Sequence, residues 1–469
     1  MESEKLFDYC NSFNDVRLNG RCEKIVHDIF RRRSAVINQF CENNSETTAA
    51  RRFFHNSEVS ITDQLCALTK NVGHLGDVKR VLLIEDGTEF NFTSKSGRIR
   101  RESLGPLTNK DCVGFFFHPC LVVDAQKFNP LGCSAIEMWK RKINGENKNQ
   151  RKYKNLPIEK KESWNWIKCI KKSKEVLPDG VEKIVVADRE ADIYQLYCQL
   201  KDDKTDLVIR LRSDRNIKNG TTVRDYLKKQ SVKKIITMNV KADEKDNRSK
   251  HVAVLELKYG LIEIIKPQRI RRKDGPSFMK MSVVEIKESK TTVQRGESPV
   301  HWILLTTIPV TSEKKAETIL EYYSKRWMIE EIFGIMKSRS LNLEKSQLSE
   351  GKALMKLAIV AMDVAVKILQ LTKGREDEKS KAEMIFSKTE IELIEKIIPE
   401  YEGKTEKQKN PFRKESLAWA AWLIGRLGGW KGYKTEAPPG NRTMGRGLKS
   451  FYTMFSLYKI LKEKDVYGD

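Results

Sequence analysis

The chain has 469 residues, enough for about three domains at ~150 residues each. Apolar residues make up 39% of it, which excludes a chain that is disordered throughout. Its 88 Lys and Arg residues outnumber 64 Asp and Glu residues, and the formal net charge is +24. Because such an excess repels itself in a compact chain, we expect an anionic partner, either nucleic acid or a membrane surface.

Three features of the sequence argue against a membrane-bound or secreted protein. The longest apolar stretch, residues 354–371, is interrupted by Lys356, Asp363 and Lys367 and is too polar to span a bilayer. The N-terminus lacks the basic start and the apolar segment of a signal peptide. The nine cysteines include no Cys-x-x-Cys pair, which disfavours a zinc ribbon or a disulfide framework. The sequence therefore predicts a protein of the cytoplasm, with no membrane partner.

The spacing of apolar residues predicts helices over residues 1–70 and then a change to short apolar runs. The next predicted elements are, in order, strands at 80–86, 114–124 and 131–139, a helix at 164–176, a strand at 183–188, a helix at 190–200 and a strand at 207–211. Residues 233–308 alternate β-rich runs with charged turns, and helical spacing returns at residue 312. A charged linker is predicted at 373–381. Alternating strands and helices predict an α/β sheet that the β-rich stretch interrupts in sequence.

Two acids directly follow predicted buried strands. Asp86 comes after the run VLLIE, and Asp188 comes after the run IVVA. Such positions lie at the edge of a sheet where α/β proteins place ligands. Either acid taken alone is more often the start of a turn or a helix cap, and that alternative stays open.

A long helix is predicted over residues 312–338, and it carries a polar stripe. At ~100° per residue, an arc of roughly 60° opposite the apolar face holds Tyr323, Arg326, Glu330 and Lys337. Glu331 falls outside this arc, so Glu330 is the acid of interest. The alternative is a solvated face with an Arg326–Glu330 ion pair worth ~0.3–0.5 kcal/mol. The basic turn at 269–273 has the same two interpretations, a DNA contact or a solubilising loop.

The spacing Tyr323-x2-Arg326-x3-Glu330-x6-Lys337 resembles the signature of the insertion-sequence transposases of the DDE class. It is most similar to the subgroup that includes the Tn-five transposase. Residues 84–86 and 188–193 resemble the segments that carry the first and second catalytic Asp of that family. Further resemblance at 114–118, 299–306 and 419–429 extends over nearly the whole chain. One departure is Gly87, where the family tends to have Thr.

The resemblance implies an RNase H-like catalytic fold in which Asp86, Asp188 and Glu330 hold two Mg²⁺ ions, with Mn²⁺ as a substitute. Two ions roughly 4 Å apart suit in-line displacement at phosphorus, and Mg²⁺ prefers carboxylate oxygen. The family resemblance also implies DNA contacts from eight side chains, namely Tyr323, Arg326, Lys337, Arg210, Arg189, Trp302, Arg17 and Arg21. Trp302 would receive a flipped base, although a Trp in a strand is more often part of the core.

The expected organisation is an α/β protein with two flanking helical domains. A helical domain that binds DNA ends occupies 1–70, an RNase H-like domain with a β-rich insertion at about 213–311 occupies 71–372, and a helical domain occupies 373–469. An apolar stripe in the tail is expected to form a dimer contact and consists of Leu417, Ala420, Ala421, Ile424 and Leu427. Packing within the monomer is the alternative.

The expected function is cut-and-paste DNA transposition through a hairpin intermediate. The partners would be double-stranded terminal inverted repeats, target DNA and a second copy of the chain, in the nucleoid of a bacterium. A catalytically silent relative that binds DNA and inhibits transposition is the main alternative. The three carboxylates disfavour it, because a binder has no need of converging acids beside phosphates. A structure-specific nuclease is separated from a transposase only by the family resemblance.

Overall fold

The computed structural model describes residues 9, 12–73, 75–95, 103–143, 153, 156–240, 242, 248–433 and 436–467. The strands are β1 Arg80–Glu85, β2 Thr88–Asn91, β3 Gly105–Pro106, β4 Val113–Asp124, β5 Pro130–Trp139, β6 Glu182–Ala187, β7 Thr205–Arg210, β8 Lys234–Val240, β9 His251–Ile265, β10 Phe278–Glu288 and β11 His301–Thr306. The helices are α1 Val16–Arg32, α2 Ile37–Phe40, α3 Asn44–His55, α4 Ile61–Gly73, α5 Trp164–Val176, α6 Tyr194–Leu200, α7 Val223–Lys229, α8 Glu313–Ser324, α9 Trp327–Gly334, α10 Gly351–Lys373, α11 Lys388–Tyr401, α12 Leu417–Leu427 and α13 Asn441–Tyr467.

All the strands in this part of the chain join one mixed sheet of order β2-β4-β1-β6-β7-β11-β10-β9-β8, and β3 and β5 also pair with β4. The strands β1, β6 and β7 are parallel, whereas β4 runs antiparallel to both β1 and β5. The five strands predicted between residues 80 and 211 are confirmed. The arrangement is a mixed α/β fold with a large central sheet, as the sequence predicted.

The β-rich stretch extends this central sheet. Strand β11 pairs antiparallel with β7 and is followed outward by β10, β9 and β8. The prediction of a β-rich stretch after β7 is confirmed. Its strand β11 shares backbone hydrogen bonds with β7, which is the neighbour of β6, the strand that Asp188 follows. The insertion therefore belongs to the same sheet as β1 and β6, the strands that precede Asp86 and Asp188, and is joined to them through β7.

The strand β1 shows how the sheet separates two hydrophobic cores. Leu82 and Ile84 face a core formed with α1, α8, α9, α10 and the C-terminal helices. Val81 and Leu83 face a second core formed with α5 and α6. Because successive side chains of a strand point to opposite faces, burial on both faces requires the continuous apolar run seen in the sequence.

The helix α10 is the centre of the first core, and almost every residue along it is buried. Helices α1, α3 and α4 pack on it, and so do α12 and α13. Two hydrogen bonds fix the N-terminal part of the chain to α10: the Tyr9 hydroxyl donates to Asp363 at 3.0 Å, and Lys356 donates to the Asn56 carbonyl at 2.7 Å. The helices of the predicted N-terminal and C-terminal domains thus share one hydrophobic core with α10 of the predicted catalytic domain. In the described part of the chain, no helix combines the length and the apolar character that crossing a membrane requires.

The predicted dimer stripe of α12 lies inside the protomer, so the prediction that it forms an exposed contact is wrong. Its residues Leu417, Ala420, Ala421 and Ile424 are at most 2% exposed. Helix α13 covers them so closely that a Cβ added to Gly447 would lie 1.7 Å from the Ile424 carbonyl oxygen. The periodicity of α12 therefore marked a face that α13 and α10 bury.

The predicted linker at 373–381 is also packed against the rest of the molecule. The Asn129 side chain donates to the Asp377 carboxylate at 2.6 Å. A Cβ added to Gly374 would lie 2.2 Å from Leu417 Cδ2. The tail is consequently attached to the end of α10 and is not a separate body on a tether.

Candidate active site

The register of β1 and β6 brings the first two acids together. Ile84 is paired with Val186 in this parallel ladder, so Asp86 and Asp188 leave the sheet side by side. Both carboxylates also make the local bonds expected of turn residues. Asp86 accepts from the Gly87 amide at 2.8 Å, and Asp188 accepts from the Glu190 amide at 2.7 Å. Because both side chains are only half-buried, the capping role and a ligand role are compatible.

The third acid lies on a helix that is shorter than predicted. The sequence predicted one continuous helix over 312–338, and this prediction is wrong. Helix α8 ends at Ser324, α9 runs from Trp327 to Gly334, and a π-helix follows over Ile335–Arg339. The Ser324 hydroxyl donates to the Glu321 carbonyl at 2.6 Å, a local bond that bends helices. Glu330 therefore lies on a separate short helix, which two residues separate from the end of α8.

Arg326 connects the helix to the sheet. Its guanidinium lies 2.9 Å from Asp86 Oδ2 and 2.5 Å from Glu330 Oε1. The Arg326–Glu330 ion pair considered from the sequence is present, and Asp86 joins it from a position 240 residues away in the chain. One guanidinium therefore spans the gap between the sheet acid and the helix acid.

The electrostatics show that the three acids converge. The pKa of Asp86 is raised to about 7, mainly by burial, then by the nearby charge of Asp188, and to a smaller degree by Glu330. The Arg326 guanidinium and the Gly87 amide act in the opposite direction. Like charges held this close favour the uptake of a cation. An all-carboxylate set matches the oxygen ligands that Mg²⁺ and Mn²⁺ prefer, so these three residues fit a divalent cation.

The neighbouring Glu331 has a different environment. Its carboxylate lies 2.8 Å from the Lys373 ammonium at the end of α10. Glu331 thus links α9 to α10, whereas Glu330 shares the Arg326 guanidinium with Asp86.

A buried polar pair lies directly beneath Asp86, and the sequence analysis missed it. His118 Nε2 is 3.1 Å from Glu85 Oε2, and neither side chain is more than 1% exposed. Burial raises the pKa of Glu85 well above its usual value and lowers the pKa of His118 to about 3, so both groups are neutral. Cys169 completes a buried group whose ligand atoms lie within 4.8 Å of one another. The sequence did show an acid, Glu85, inside a buried strand. Its partner His118 could not be identified from the sequence, because the contact depends on the pairing of β1 with β4.

This pair also explains the departure at Gly87. A Cβ at this position would lie 3.3 Å from His118 Nδ1, which is closer than side chains normally approach. A Thr, which the family resemblance favours here, would require the imidazole ring to shift. The glycine therefore fits the particular packing beneath Asp86.

The side chains of Tyr323, Arg210 and Trp302 form a cluster beside Asp188. The Tyr323 and Trp302 rings meet edge to face at 5.2 Å, and Arg210 donates to the His301 carbonyl at 2.9 Å. Burial raises the pKa of Tyr323, while Arg326 and Arg210 lower it. Tyr323 is only 4% exposed, so its ring supports the site more than it presents a free surface.

The remaining predicted DNA contacts lie at increasing distance from the acids. Arg189 is exposed next to Asp188. Lys337 lies in the π-helix, with its ammonium 5.7 Å from the Phe90 ring centre. Arg17 and Arg21 lie on α1, where Arg17 pairs with Asp15 at 2.8 Å, and this helix packs against α10. The structure therefore does not bring the α1 residues to the acid cluster.

Trp327 was also missed by the sequence analysis. It directly follows Arg326 at the start of α9, and 51% of its surface is exposed. A large exposed aromatic side chain beside converging acids is a candidate stacking surface for a nucleic-acid base. In the sequence, its position between Arg326 and Glu330 of the polar stripe could have identified it as a residue near the site.

Comparisons with known proteins identify two regions of the chain. Residues 138–362 match the family model of the transposase DDE domain, and residues 4–59 match the family model of the transposase DNA-binding domain. The chain thus resembles transposase families in two separate regions. Asp188 and Glu330 lie within the first match, and Arg17 and Arg21 lie within the second. Asp86 lies before the first match, and it is the geometry that joins it to the other two acids.

One solved structure that the chain resembles weakly is the cryo-EM structure of a piggyBac transposase synaptic complex with hairpin DNA. It matches with a TM-score of 0.34 and 10% sequence identity, over 80% of this chain and 57% of that chain. The present chain therefore spans somewhat more than half the length of that protein.

We expect Mn²⁺ to bind the free protein through the three acids. Asp86→Asn or Glu330→Gln should weaken the binding at least about tenfold, because each removes a charged ligand from the site. Isothermal calorimetry of a Mn²⁺ titration measures this directly. Glu331→Gln is the matched control, since that residue pairs with Lys373. Equal loss in the control and in Glu330→Gln would contradict the assignment.

Proposed function

We propose that the protein is a DNA transposase that binds transposon ends, cleaves the DNA with a divalent metal and joins the ends to new DNA. The observation that carries this proposal is that Asp86 leaves the sheet beside Asp188 and shares the Arg326 guanidinium with Glu330. The two matched transposase domains support it. We further propose kinship with the insertion-sequence subgroup, on the spacing of Tyr323, Arg326, Glu330 and Lys337.

In this proposal the three carboxylates hold two Mg²⁺ ions, which Mn²⁺ can replace. The bound ions would activate the attacking oxygen and stabilise the leaving oxygen of an in-line displacement. The sheet supplies Asp86 and Asp188, and the short helix α9 supplies Glu330, so the site is assembled from elements that pack rigidly together. When cations neutralise the acids, the Arg326 guanidinium is released to pair with a phosphate of the bound strand.

Five of the predicted contacts, together with Trp327, are proposed to hold DNA close to this site. Arg210 and Arg189 are adjacent to Asp188 and carry charge suited to phosphates. Trp302 and Trp327 offer aromatic surface on the same side, half-buried and exposed respectively. Lys337 and Tyr323 are proposed to complete this surface, the former through charge and the latter by positioning Trp302.

The N-terminal helices are proposed to bind the terminal inverted repeats. Arg17 and Arg21 are one turn apart on α1, in the region that matches the transposase DNA-binding domain. Since this region packs on α10 rather than at the acids, end recognition and chemistry would take place on different surfaces. A catalytically silent binder, the main alternative, gives no reason for three acids to be held together against their mutual repulsion.

Replacing Asp86, Asp188 or Glu330 with Ala should reduce cleavage of end DNA at least about 10³-fold, because metal-assisted stabilisation is worth several kcal/mol. Gel-shift binding to the same DNA should change little. Glu331→Ala is the matched control and should cleave normally. Excess chelator should abolish cleavage by the unaltered protein. Normal cleavage by Glu330→Ala would refute the assignment, and full activity in chelator would refute metal dependence.

If the reaction passes through a hairpin with a flipped base, Trp302→Ala should slow hairpin formation about tenfold and the first nick much less. The reason is that stacking of a base on an aromatic side chain is worth ~1–3 kcal/mol. Denaturing gels of end-labelled DNA separate the two steps. Trp327→Ala is the comparison. A hairpin defect in Trp327→Ala alone would transfer the stacking role to the exposed residue.

We also propose that the active species is a homodimer, formed through α13 rather than α12. The second half of α13 exposes an apolar stripe at i, i+3 and i+7, formed by Met454, Leu457 and Leu461, with Ile460 beside it. Since the α12 stripe is buried, this is the tail surface left for a second copy. Two chains of net charge +24 repel each other, so phosphate should promote the association.

The double variant Leu457→Ser, Leu461→Ser should lose paired-end complexes while retaining binding to a single end. Sedimentation velocity with and without end DNA measures the assembly state. Lys459→Ser, on the opposite side of the same helix, is the matched control. Normal paired-end assembly by the double variant would exclude α13 as the dimer contact.

A further inference from the structure

A large cleft opens beside the strand ends that carry Asp86 and Asp188. Its volume is about 2080 Å³. The segments 87–89 and 190–195, which directly follow Asp86 and Asp188, form the wall nearest the acids. The ends of β4 and β5 form a second wall, and the turn at 267–274 between β9 and β10 forms a third.

The cleft is distinct from the surface proposed to hold the transposon end. Within the described part of the chain, its lining includes none of the residues Tyr323, Arg326, Lys337, Arg210 and Trp302. The cleft therefore begins next to the strand ends that carry Asp86 and Asp188, on a surface separate from the one formed by α8 and α9.

The charge of the cleft is positive because arginines neutralise several of its acids. Arg141 pairs with Glu162 at 2.6 Å, Arg215 pairs with the Asp192 carboxylate, and Arg271 pairs with Asp274 at 2.9 Å. The exposed side chains of Lys142, Arg212 and Arg269 also line the cleft, and none has an ion-pair partner among the residues described. Burial and the nearby charge of Arg269 lower the pKa of Lys161, so cations approach one another here.

The wall opposite the 267–274 turn is aromatic. The rings of Phe116 and Trp139 stack at 5.1 Å with an interplanar angle of 7°, and the Arg141 guanidinium lies 4.3 Å from the Phe116 ring centre. Because Phe116 is buried, the half-buried Trp139 ring is the one of the two that offers aromatic surface to the cleft, and an aromatic ring next to cations is typical of grooves that hold a nucleic-acid strand. Charge and shape thus indicate the same kind of ligand.

Strand transfer imposes a requirement that a single DNA surface cannot meet. The 3′ hydroxyl of the transposon end and a phosphodiester of the target must reach the same carboxylates, and the attacking and leaving oxygens lie in line on opposite sides of the phosphorus. The oxygen–phosphorus bond to the target 3′ oxygen breaks as the bond to the transposon hydroxyl forms. Two DNA segments must therefore approach the acids along different surfaces.

We propose that this cleft holds the target DNA during strand transfer, with Arg269 and Lys142 contacting its phosphates. The proposal rests on the transposase function proposed above and adds to it the place of the second substrate. Arg269 belongs to the basic turn whose role the sequence left open between a DNA contact and a solubilising loop.

The test uses the full-length protein with pre-cleaved transposon ends and a separate target plasmid. The double variant Arg269→Ala, Lys142→Ala should join ends to the target at least about tenfold more slowly at 0.1 M salt, because each phosphate contact contributes ~0.9 to the slope of log affinity against log salt. The same variant should cleave uncut end DNA at the rate of the unaltered protein.

The basic turn offers a matched control. Arg272 and Lys273 are exposed in the same turn but do not line the cleft. Arg272→Ala, Lys273→Ala removes the same charge and should leave strand transfer unchanged. The conservative variant Arg269→Lys, Lys142→Arg should restore most of the lost joining, which an unfolded protein would not do.

The outcomes separate this proposal from the proposed function. Normal strand transfer by Arg269→Ala, Lys142→Ala refutes the target cleft, and an equal loss of end cleavage also refutes it by assigning the cleft to the donor DNA. If the Arg272→Ala, Lys273→Ala control loses strand transfer equally, the effect comes from the overall positive charge of the protein, and the target-cleft proposal is likewise refuted. If the unaltered protein neither cleaves nor joins end DNA, the transposase function itself fails.

Discussion

The parallel pairing of β1 with β6 is the constraint on which the rest of the site depends. Both strands are buried on both faces, so the apolar pattern of their interiors does not by itself fix the register. The polar residues at the strand ends do. Arg80 pairs across the ladder with Glu182 at one end, with a hydrogen bond of 2.6 Å, and the two catalytic candidates Asp86 and Asp188 leave together at the other end. A shift of the β1–β6 register by one residue pair would move Asp86 away from Asp188 and would also break the Arg80–Glu182 ion pair.

Arg326 resolves the electrostatic problem that this register creates. Two carboxylates side by side, with a third approaching from α9, destabilise the folded state unless a cation lies among them. In the protein without metal, the guanidinium contacts two of the three acids. A divalent cation and Arg326 are therefore alternatives for the same charge. On the proposed function, metal binding would make Arg326 available to phosphate at the moment when DNA is to be cut, which couples the two substrates of the site.

Much of the fold followed from local pattern, and the exceptions share a cause. The strands β1, β4, β5, β6 and β7 were predicted from short apolar runs, and the preference for Glu330 over Glu331 rests on helical periodicity, which reports the face of an element. The break at Ser324 depends on one side-chain hydrogen bond, and the π-helix after Gly334 changes the angle per residue, so a fixed 100° step could show neither. Periodicity also cannot say what covers an apolar face, as the buried stripe of α12 demonstrates. The Glu85–His118 pair depends on the pairing of β1 with β4, which lies outside any local pattern.

The tail contributes to the site through a chain of contacts rather than by direct approach. Helix α9 carries Glu330 toward the acids, and the adjacent Glu331 fixes the same helix to Lys373 at 2.8 Å. Gly374 follows directly and accepts Leu417 of α12 at a distance that excludes a side chain. Helix α12 is in turn fixed by the close approach of Gly447 in α13 to the Ile424 carbonyl. Since interiors are close-packed and transmit displacement, the position of Glu330 depends on how the last two helices pack. A tail that supports the third acid in this way, and exposes an apolar stripe farther along α13, would connect assembly of two chains to the geometry of each active site.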